Sequence, residues 1–185
     1  MIGKYNIAFG FIYLVFTASL GIVMVDMYEG YGKIALEKQS SVGRLQSLAG
    51  NEFEEDLEPL SATDIAKANT QGILGLNKLL NSAAEIDAIK GGAHAHGNLE
   101  SILNIIVGLA LCFISVAKWL KYLISALFII GAIMHSGMLY LATVFSLSWA
   151  GLLLETGIGP FSLLIGLLLI GITSLFKFSN TIVTD

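Results

Sequence analysis

Residues 122–154, with the sequence YLISALFIIGAIMHSGMLYLATVFSLSWAGLLL, contain no aspartate, glutamate, lysine or arginine. Similar uncharged runs occupy residues 5–25, 101–117 and 156–176. A helix needs roughly 20 apolar residues to cross the hydrocarbon layer of a bilayer. The four runs therefore predict four membrane-spanning helices.

The composition points to the same class of protein. Hydrophobic residues make up 55% of the chain, charged residues only 13%, and the mean hydropathy is +0.78, which is too apolar for an ordinary soluble domain. We therefore expect an all-α integral membrane protein, built as a four-helix bundle. The predicted segments are span 1 at residues 1–25, an acidic helical extracytoplasmic insertion at 26–97, span 2 at 98–117, span 3 at 122–146, an interfacial segment at 147–158 and span 4 at 159–177.

The basic residues predict the orientation. In a four-span topology Lys4, Lys118, Lys121 and Lys177 all lie on one side, and lysine-rich short loops stay in the cytoplasm. Both termini are therefore predicted to be cytoplasmic. The first uncharged run is longer than a signal-peptide core and ends without a small-x-small cleavage pattern, so we expect it to be retained as an anchor.

The extracytoplasmic insertion is acidic, above all at residues 52–58. This charge disfavours nucleic acid and anionic lipid as partners of this face. Two alternatives stay open for the acidic stretch, namely a solvated surface and a docking site for a basic soluble partner.

Part of the insertion has helical periodicity. Ser61 and Asp64 form a capping box that predicts a helix start, and Gly91 with Gly92 is expected to end the helix. Between them, apolar residues at three- and four-residue steps predict one amphipathic helix, or two helices broken near Gly72 and Gly75. The apolar stripe consists of Ile73, Leu76, Leu80, Ala83 and Ile86. We expect this stripe to pack on the bundle or on a partner subunit, with a second, weaker helix at residues 33–48.

The start of span 2 carries most of the residues that can do chemistry. It reads GGAHAHGNLE at residues 91–100, so His96, Glu100 and Asn104 follow each other at steps of four. Residues four apart share one helix face, and a polar face is expected to point into the bundle. Glu100 can then orient a ligand histidine by a hydrogen bond. Interfacial anchoring by His94 and His96, and a Glu100 that reaches water, are the structural alternatives.

His135 lies in the middle of span 3, where an ionisable side chain is costly and marks a functional site. Counting along a hairpin that turns near Leu120 places His135 level with Asn104 or Ile105. On that count the structural alternative is a hydrogen bond between His135 and Asn104. His96 would then lie about 13 Å higher, at 1.5 Å per residue, so the sequence leaves open one shared histidine site or two sites.

Two methionines suggest a different metal site. Met24 and Met27 end span 1 at the predicted depth of His94 and His96. Thioether and imidazole ligands together suit copper, so these four residues form an alternative copper site. Cys112 is the only cysteine, so no intrachain disulfide is possible, and the absence of a CxxCH motif excludes covalent haem.

The string His94-Ala-His96-Gly-Asn98-Leu99, followed by His135 in the third span, resembles a known group. These are small four-helix bacterial membrane proteins that are related to a fragment of the haem–copper oxidase catalytic subunit. The resemblance covers the four spans but not residues 33–90. It implies a bacterial inner-membrane location and ligation of haem or metal by His94 or His96 together with His135. Glu100 departs from the usual pattern of that group, as does the single histidine in span 3.

Our leading functional hypothesis is a membrane subunit that binds b-type haem and either transfers electrons or anchors a respiratory-type complex. His96 and His135 are the predicted ligands, His94 is an alternative ligand, and Glu100 and Asn104 are expected to orient them. A chlorophyll on His135 is a variant of this hypothesis. The other hypotheses are an extracytoplasmic copper-binding protein and a structural subunit. The expected partners are the bilayer and either other membrane subunits or further copies of the chain, and any enzymatic activity would belong to a larger oxidoreductase complex.

Overall fold

The computed structural model describes residues 1–183, and this part of the chain is almost entirely helical. The helices are α1 Gly3–Gly50, α2 Ala62–Asp87, α3 Ala95–Leu111, α4 Lys118–Ala132, α5 Met138–Val144, α6 Ser148–Glu155 and α7 Ile158–Lys177. Two π-helical turns, Ala88–His94 and Ile133–Gly137, join α2 to α3 and α4 to α5 without a break. The short antiparallel strands β1 Glu54–Glu55 and β2 Glu58–Pro59 pair Glu54 with Pro59 and Glu55 with Glu58.

Three helices of the described chain are long and apolar enough to cross a membrane. They are α1, the continuous helix Lys118–Val144 and α7. The predicted second span is not among these three helices, because α3 has only 17 residues and ends at Leu111. The structure thus agrees with the prediction of an all-helical protein with membrane-type helices. The four-span bundle and its orientation stay predictions.

Residues 112–117 leave the helix because their backbone pairs with the C-terminal end of the chain. The amide of Ser115 donates to the carbonyl of Lys177 at 2.8 Å, and the amide of Ser179 donates to the carbonyl of Phe113 at 2.7 Å. These bonds replace helical ones, so α3 ends six residues before the end of the predicted span.

The helices form two compact units. The first contains Met1–Gly21 and the chain from Ala88 onward, and the second contains Ile22–Asp87. In the first unit α3, α4 and α7 pack around the buried ring of Phe128. The first turns of α1 lie directly on α3, where a Cβ at Gly108 would be 2.6 Å from the carbonyl oxygen of Gly3. Small residues that permit close backbone approach are typical of membrane helix interfaces. The core residues are Val107, Leu111, Ile114, Ile124, Phe128, Leu163 and Ile170.

The second unit is an antiparallel hairpin of the later part of α1 and α2. Lys78 pairs with Glu37 across it at 2.8 Å. At the start of α2 the amide of Asp64 donates to the Ser61 hydroxyl, which in turn donates to the Asp64 carboxylate at 2.6 Å. The predicted capping box is therefore present. Of the expected apolar stripe, however, only Ile86 is buried, and its first three members, Ile73, Leu76 and Leu80, are exposed.

Two predicted helix breaks are wrong. The chain does not break at Gly91 and Gly92, because it continues through the first π turn into α3. The expected separate helix at residues 33–48 is part of α1, which runs without interruption to Gly50. Glycine costs a helix only about 1 kcal/mol relative to alanine, so neighbouring turns and packing outweigh it here.

Candidate metal centre

Three side chains that can ligate a metal meet between α3 and the second π turn. His96 and Glu100 lie one turn apart on α3, and His135 lies in the π turn. One ligand atom from each residue lies within 4.8 Å of the other two. His135 Nδ1 is 2.6 Å from Glu100 Oε1, and the rings of His96 and His135 are in edge contact with their centroids 4.8 Å apart.

The three side chains of this cluster differ in their exposure, from buried Glu100 to exposed His96. The side chain of Glu100 is 3% exposed and that of His135 is 20% exposed, whereas His96 is exposed. The carboxylate is thus inside the first unit and the two imidazoles lead from it to the surface. An ion bound here would have its accessible side next to His96.

The π turn explains how two consecutive residues reach the same carboxylate. Ser136 donates to Glu100 Oε2 at 2.5 Å, while His135 contacts Oε1. A π turn closes i→i+5 hydrogen bonds and is wider than an α turn, so successive side chains diverge by a smaller angle. Such turns occur frequently at functional sites. Gly159 on α7 allows the close packing behind this turn, because a Cβ there would be 2.6 Å from the backbone nitrogen of His135.

His94 points to a different neighbour. Its Nδ1 lies 2.9 Å from the carbonyl oxygen of Thr17, and its Nε2 lies 3.4 Å from the amide nitrogen of Asn98. Thr17 in turn donates to the side-chain oxygen of Asn98 at 2.8 Å. His94 therefore connects the end of the first π turn to α1, and the structure does not bring it into the cluster of His96 and His135.

Asn104 also has partners other than the expected one. Its amide donates to the backbone carbonyl of Glu100 at 3.0 Å and to that of Phe128 at 3.2 Å, and its oxygen accepts from Asn6 at 2.9 Å. The two structural alternatives, a hydrogen bond between His135 and Asn104 and a Glu100 that reaches water, are therefore wrong. Because the turn before α4 begins at residue 112, His135 is level with Glu100, and the expected 13 Å offset from His96 does not exist.

The methionines of the alternative copper site lie on α1 in the second unit. Met24 and Met27 are both half-buried there, whereas His94 and His96 belong to the first unit. The copper site stays a prediction.

Tyr13 also belongs to this site, although it was not predicted from the sequence. Its hydroxyl lies 2.9 Å from that of Ser136, one bond away from Glu100. A signal was present in the sequence, because Asn6, Tyr13 and Thr17 are spaced by seven and four residues, which places them on one face of α1. All three contact α3 or the α4–α5 helix.

The arrangement does not fit a haem between His96 and His135. Two imidazoles that ligate one iron from opposite faces have ring centroids roughly 6 Å apart, because each metal–nitrogen bond is about 2.0–2.1 Å. The macrocycle would fill the space between them. The two rings are instead in contact, at 4.8 Å and 60°, so bis-histidine haem ligation would require them to separate.

No protein-family model, characterised protein or solved structure matches this chain. The resemblance to the oxidase-related membrane proteins therefore stays a prediction.

Proposed function

We propose that the protein is a membrane metalloprotein whose cluster of His96, Glu100 and His135 binds one transition-metal ion. The observation that supports this proposal best is the convergence of three ligand atoms within 4.8 Å of one another. Ionisable residues among membrane helices are costly and are retained for function. Here one carboxylate and one imidazole of α3 lie next to an imidazole of the second π turn.

The donor set favours a borderline divalent ion. Two nitrogen donors and one carboxylate suit Zn²⁺ or Fe²⁺, whereas Mg²⁺ and Ca²⁺ prefer all-oxygen sites and Cu⁺ prefers sulfur. Glu100 Oε1 and His135 Nδ1 lie 2.6 Å apart. With the His135 proton on Nε2, an ion would bind these two atoms in place of the hydrogen bond that joins them, after a small separation of the side chains, while Glu100 Oε2 keeps its hydrogen bond from Ser136.

Three protein ligands leave at least one coordination position open. Structural zinc sites are closed by four protein ligands, whereas sites that act on another molecule keep a position for it. The exposure of His96 supports an open position at the surface of the first unit. We infer that the ion binds a further small ligand there, as in a catalytic or ion-transfer site, and does not serve as a saturated electron carrier.

The test is metal analysis of the full chain purified in mild detergent, with a reduced-minus-oxidised absorption spectrum of the same sample. We expect about one bound Zn or Fe per chain without a Soret band, and loss of the metal in His96→Ala and in His135→Ala. His94→Ala is the matched control and should retain the metal, because His94 contacts Thr17 and Asn98.

Other outcomes would overturn the proposal in favour of a named alternative. A Soret band that disappears in His135→Ala would establish the haem protein. Copper that remains in His135→Ala but is lost in Met24→Leu with Met27→Leu would establish the copper site. A protein that binds no metal, even after addition of Zn²⁺ or anaerobic Fe²⁺, would be left as a structural subunit.

A further inference from the structure

Glu100 is held from α1 as well as from the π turn. Its Oε2 accepts from the Ser136 hydroxyl at 2.5 Å, and the Ser136 oxygen lies 2.9 Å from the hydroxyl of Tyr13. Ser136 is 0% exposed, so water does not replace either contact. A continuous chain of side chains thus leads from Tyr13 through Ser136 and Glu100 to His135.

The direction of the hydrogen bonds follows from the groups involved. A carboxylate can only accept, so Ser136 donates its single proton to Glu100. The carbonyl of Ala132, at 3.2 Å from the same hydroxyl, is the more distant acceptor. Since the Ser136 proton is used, the Tyr13 hydroxyl donates to the Ser136 oxygen at 2.9 Å, which is nearer than its other acceptor, the carbonyl of Ala132 at 3.4 Å. Successive bonds of one direction polarise each other and strengthen the chain.

We propose that Ser136 and Tyr13 are positioning residues of the metal centre, which they support through Glu100. This inference rests on the proposed function of the His96, Glu100 and His135 cluster. With Oε2 bonded to Ser136, the Glu100 carboxylate does not rotate, so Oε1 stays directed at Nδ1 of His135 and at the ion that both atoms would bind. Groups that hydrogen-bond a ligating carboxylate in this way commonly change metal affinity 10- to 100-fold.

The experiment is a Co²⁺ titration of the full chain in detergent, followed by competition with Zn²⁺. Co²⁺ reports both affinity and the geometry of its ligands through its visible absorption bands. We expect Ser136→Ala to weaken binding about 10- to 100-fold and to shift these bands. Tyr13→Phe, which removes one hydrogen bond of the chain, should weaken binding about threefold to tenfold.

Two control variants remove a similar hydroxyl elsewhere. Ser101→Ala deletes a buried hydroxyl that donates to the carbonyl of Gly97 at 2.6 Å, and Tyr140→Phe deletes a phenol whose ring contacts Phe145. Both should keep the wild-type affinity and spectrum. A general loss of stability would affect controls and test variants alike, whereas a positioning role changes the Co²⁺ bands only in Ser136→Ala and Tyr13→Phe.

The possible failures differ from one another. If the wild type binds neither Co²⁺ nor Zn²⁺, the proposed function is wrong and this inference falls with it. If the wild type binds but Tyr13→Phe and Ser136→Ala match it in affinity and spectrum, only the positioning role is wrong. Should Ser136→Ala fail to fold, Tyr13→Phe decides the question alone, because it removes a single oxygen at the end of the chain.

Discussion

His135 and Glu100 are joined by a hydrogen bond of 2.6 Å between Nδ1 and Oε1. This bond links the π turn of the α4–α5 helix to α3. It also satisfies a carboxylate that is 3% exposed, in a setting where an unpaired charge costs several kcal/mol. The pair is therefore both a contact between helices and the centre of the candidate metal site.

Glu100→Gln should impair the site while keeping its shape. The glutamine amide offers one acceptor oxygen, so its NH₂ group must face a donor, either His135 or Ser136. We expect metal affinity to fall about 10- to 100-fold and the free energy of unfolding to fall by about 1–3 kcal/mol. Zn²⁺ competition and denaturant unfolding measure the two effects. Glu155→Gln, at an exposed position of α6, is the control, and an equal loss in that variant would contradict the prediction.

Gly159→Ala should separate α7 from the π turn. Its Cβ would lie 2.6 Å from the His135 nitrogen, whereas a Cβ at Gly171 on the same helix meets nothing within 4 Å. We expect Gly159→Ala to destabilise the protein by about 1–3 kcal/mol and to weaken metal binding. Gly171→Ala should be neutral or stabilising by up to about 1 kcal/mol. Unfolding of the two variants in parallel is the measurement, and identical curves would show that the close approach does not matter.

Asn104→Ala should affect stability without affecting the metal. Asn104 and Asn6 share a hydrogen bond of 2.9 Å and are both buried, and such interhelical bonds contribute about 0.6–2 kcal/mol in membrane proteins. A double-mutant cycle with Asn6→Ala and Asn104→Ala should give a coupling energy in this range. Metal content is measured on the same samples, and its loss from Asn104→Ala would show that Asn104 supports the centre.

Asp64 makes the start of α2 sensitive to acid. Hydrogen bonds from Ser61 and then from Lys67 lower the pKa of this carboxyl below its ordinary value. Because the folded pKa is below the unfolded one, the stabilisation is present above the unfolded pKa and is lost as the pH falls through the folded pKa. In Ser61→Ala we expect the pKa of Asp64 to rise towards its ordinary value, as measured by NMR titration.

The control for this titration is Thr70→Ala. The Thr70 hydroxyl donates to the carbonyl of Ala66 in the same helix at 2.9 Å, so its removal should leave the pKa of Asp64 unchanged. An Asp64 pKa that is the same in the wild type and in Ser61→Ala would show that the capping box does not hold the carboxylate in solution.

The features that depend only on composition or on a single helical turn could be predicted from the sequence. The uncharged runs predicted apolar membrane-type helices, and Ser61 with Asp64 predicted the start of α2. The four-residue spacing of His96, Glu100 and Asn104 also placed a polar face on α3. Composition and periodicity act within a single segment, so a single segment of sequence is enough to read them.

The tertiary structure alone decided which residues meet. The level of His135 depends on where α3 ends, and that end is set by backbone bonds from Ser115 to Lys177, far away in the sequence. The π turn then directs both His135 and Ser136 to Glu100, and α1 supplies Tyr13 from the other end of the chain. A shift of a few residues in one turn moves a side chain by a full helical turn against its neighbour. Contacts between helices therefore follow from packing and not from local pattern.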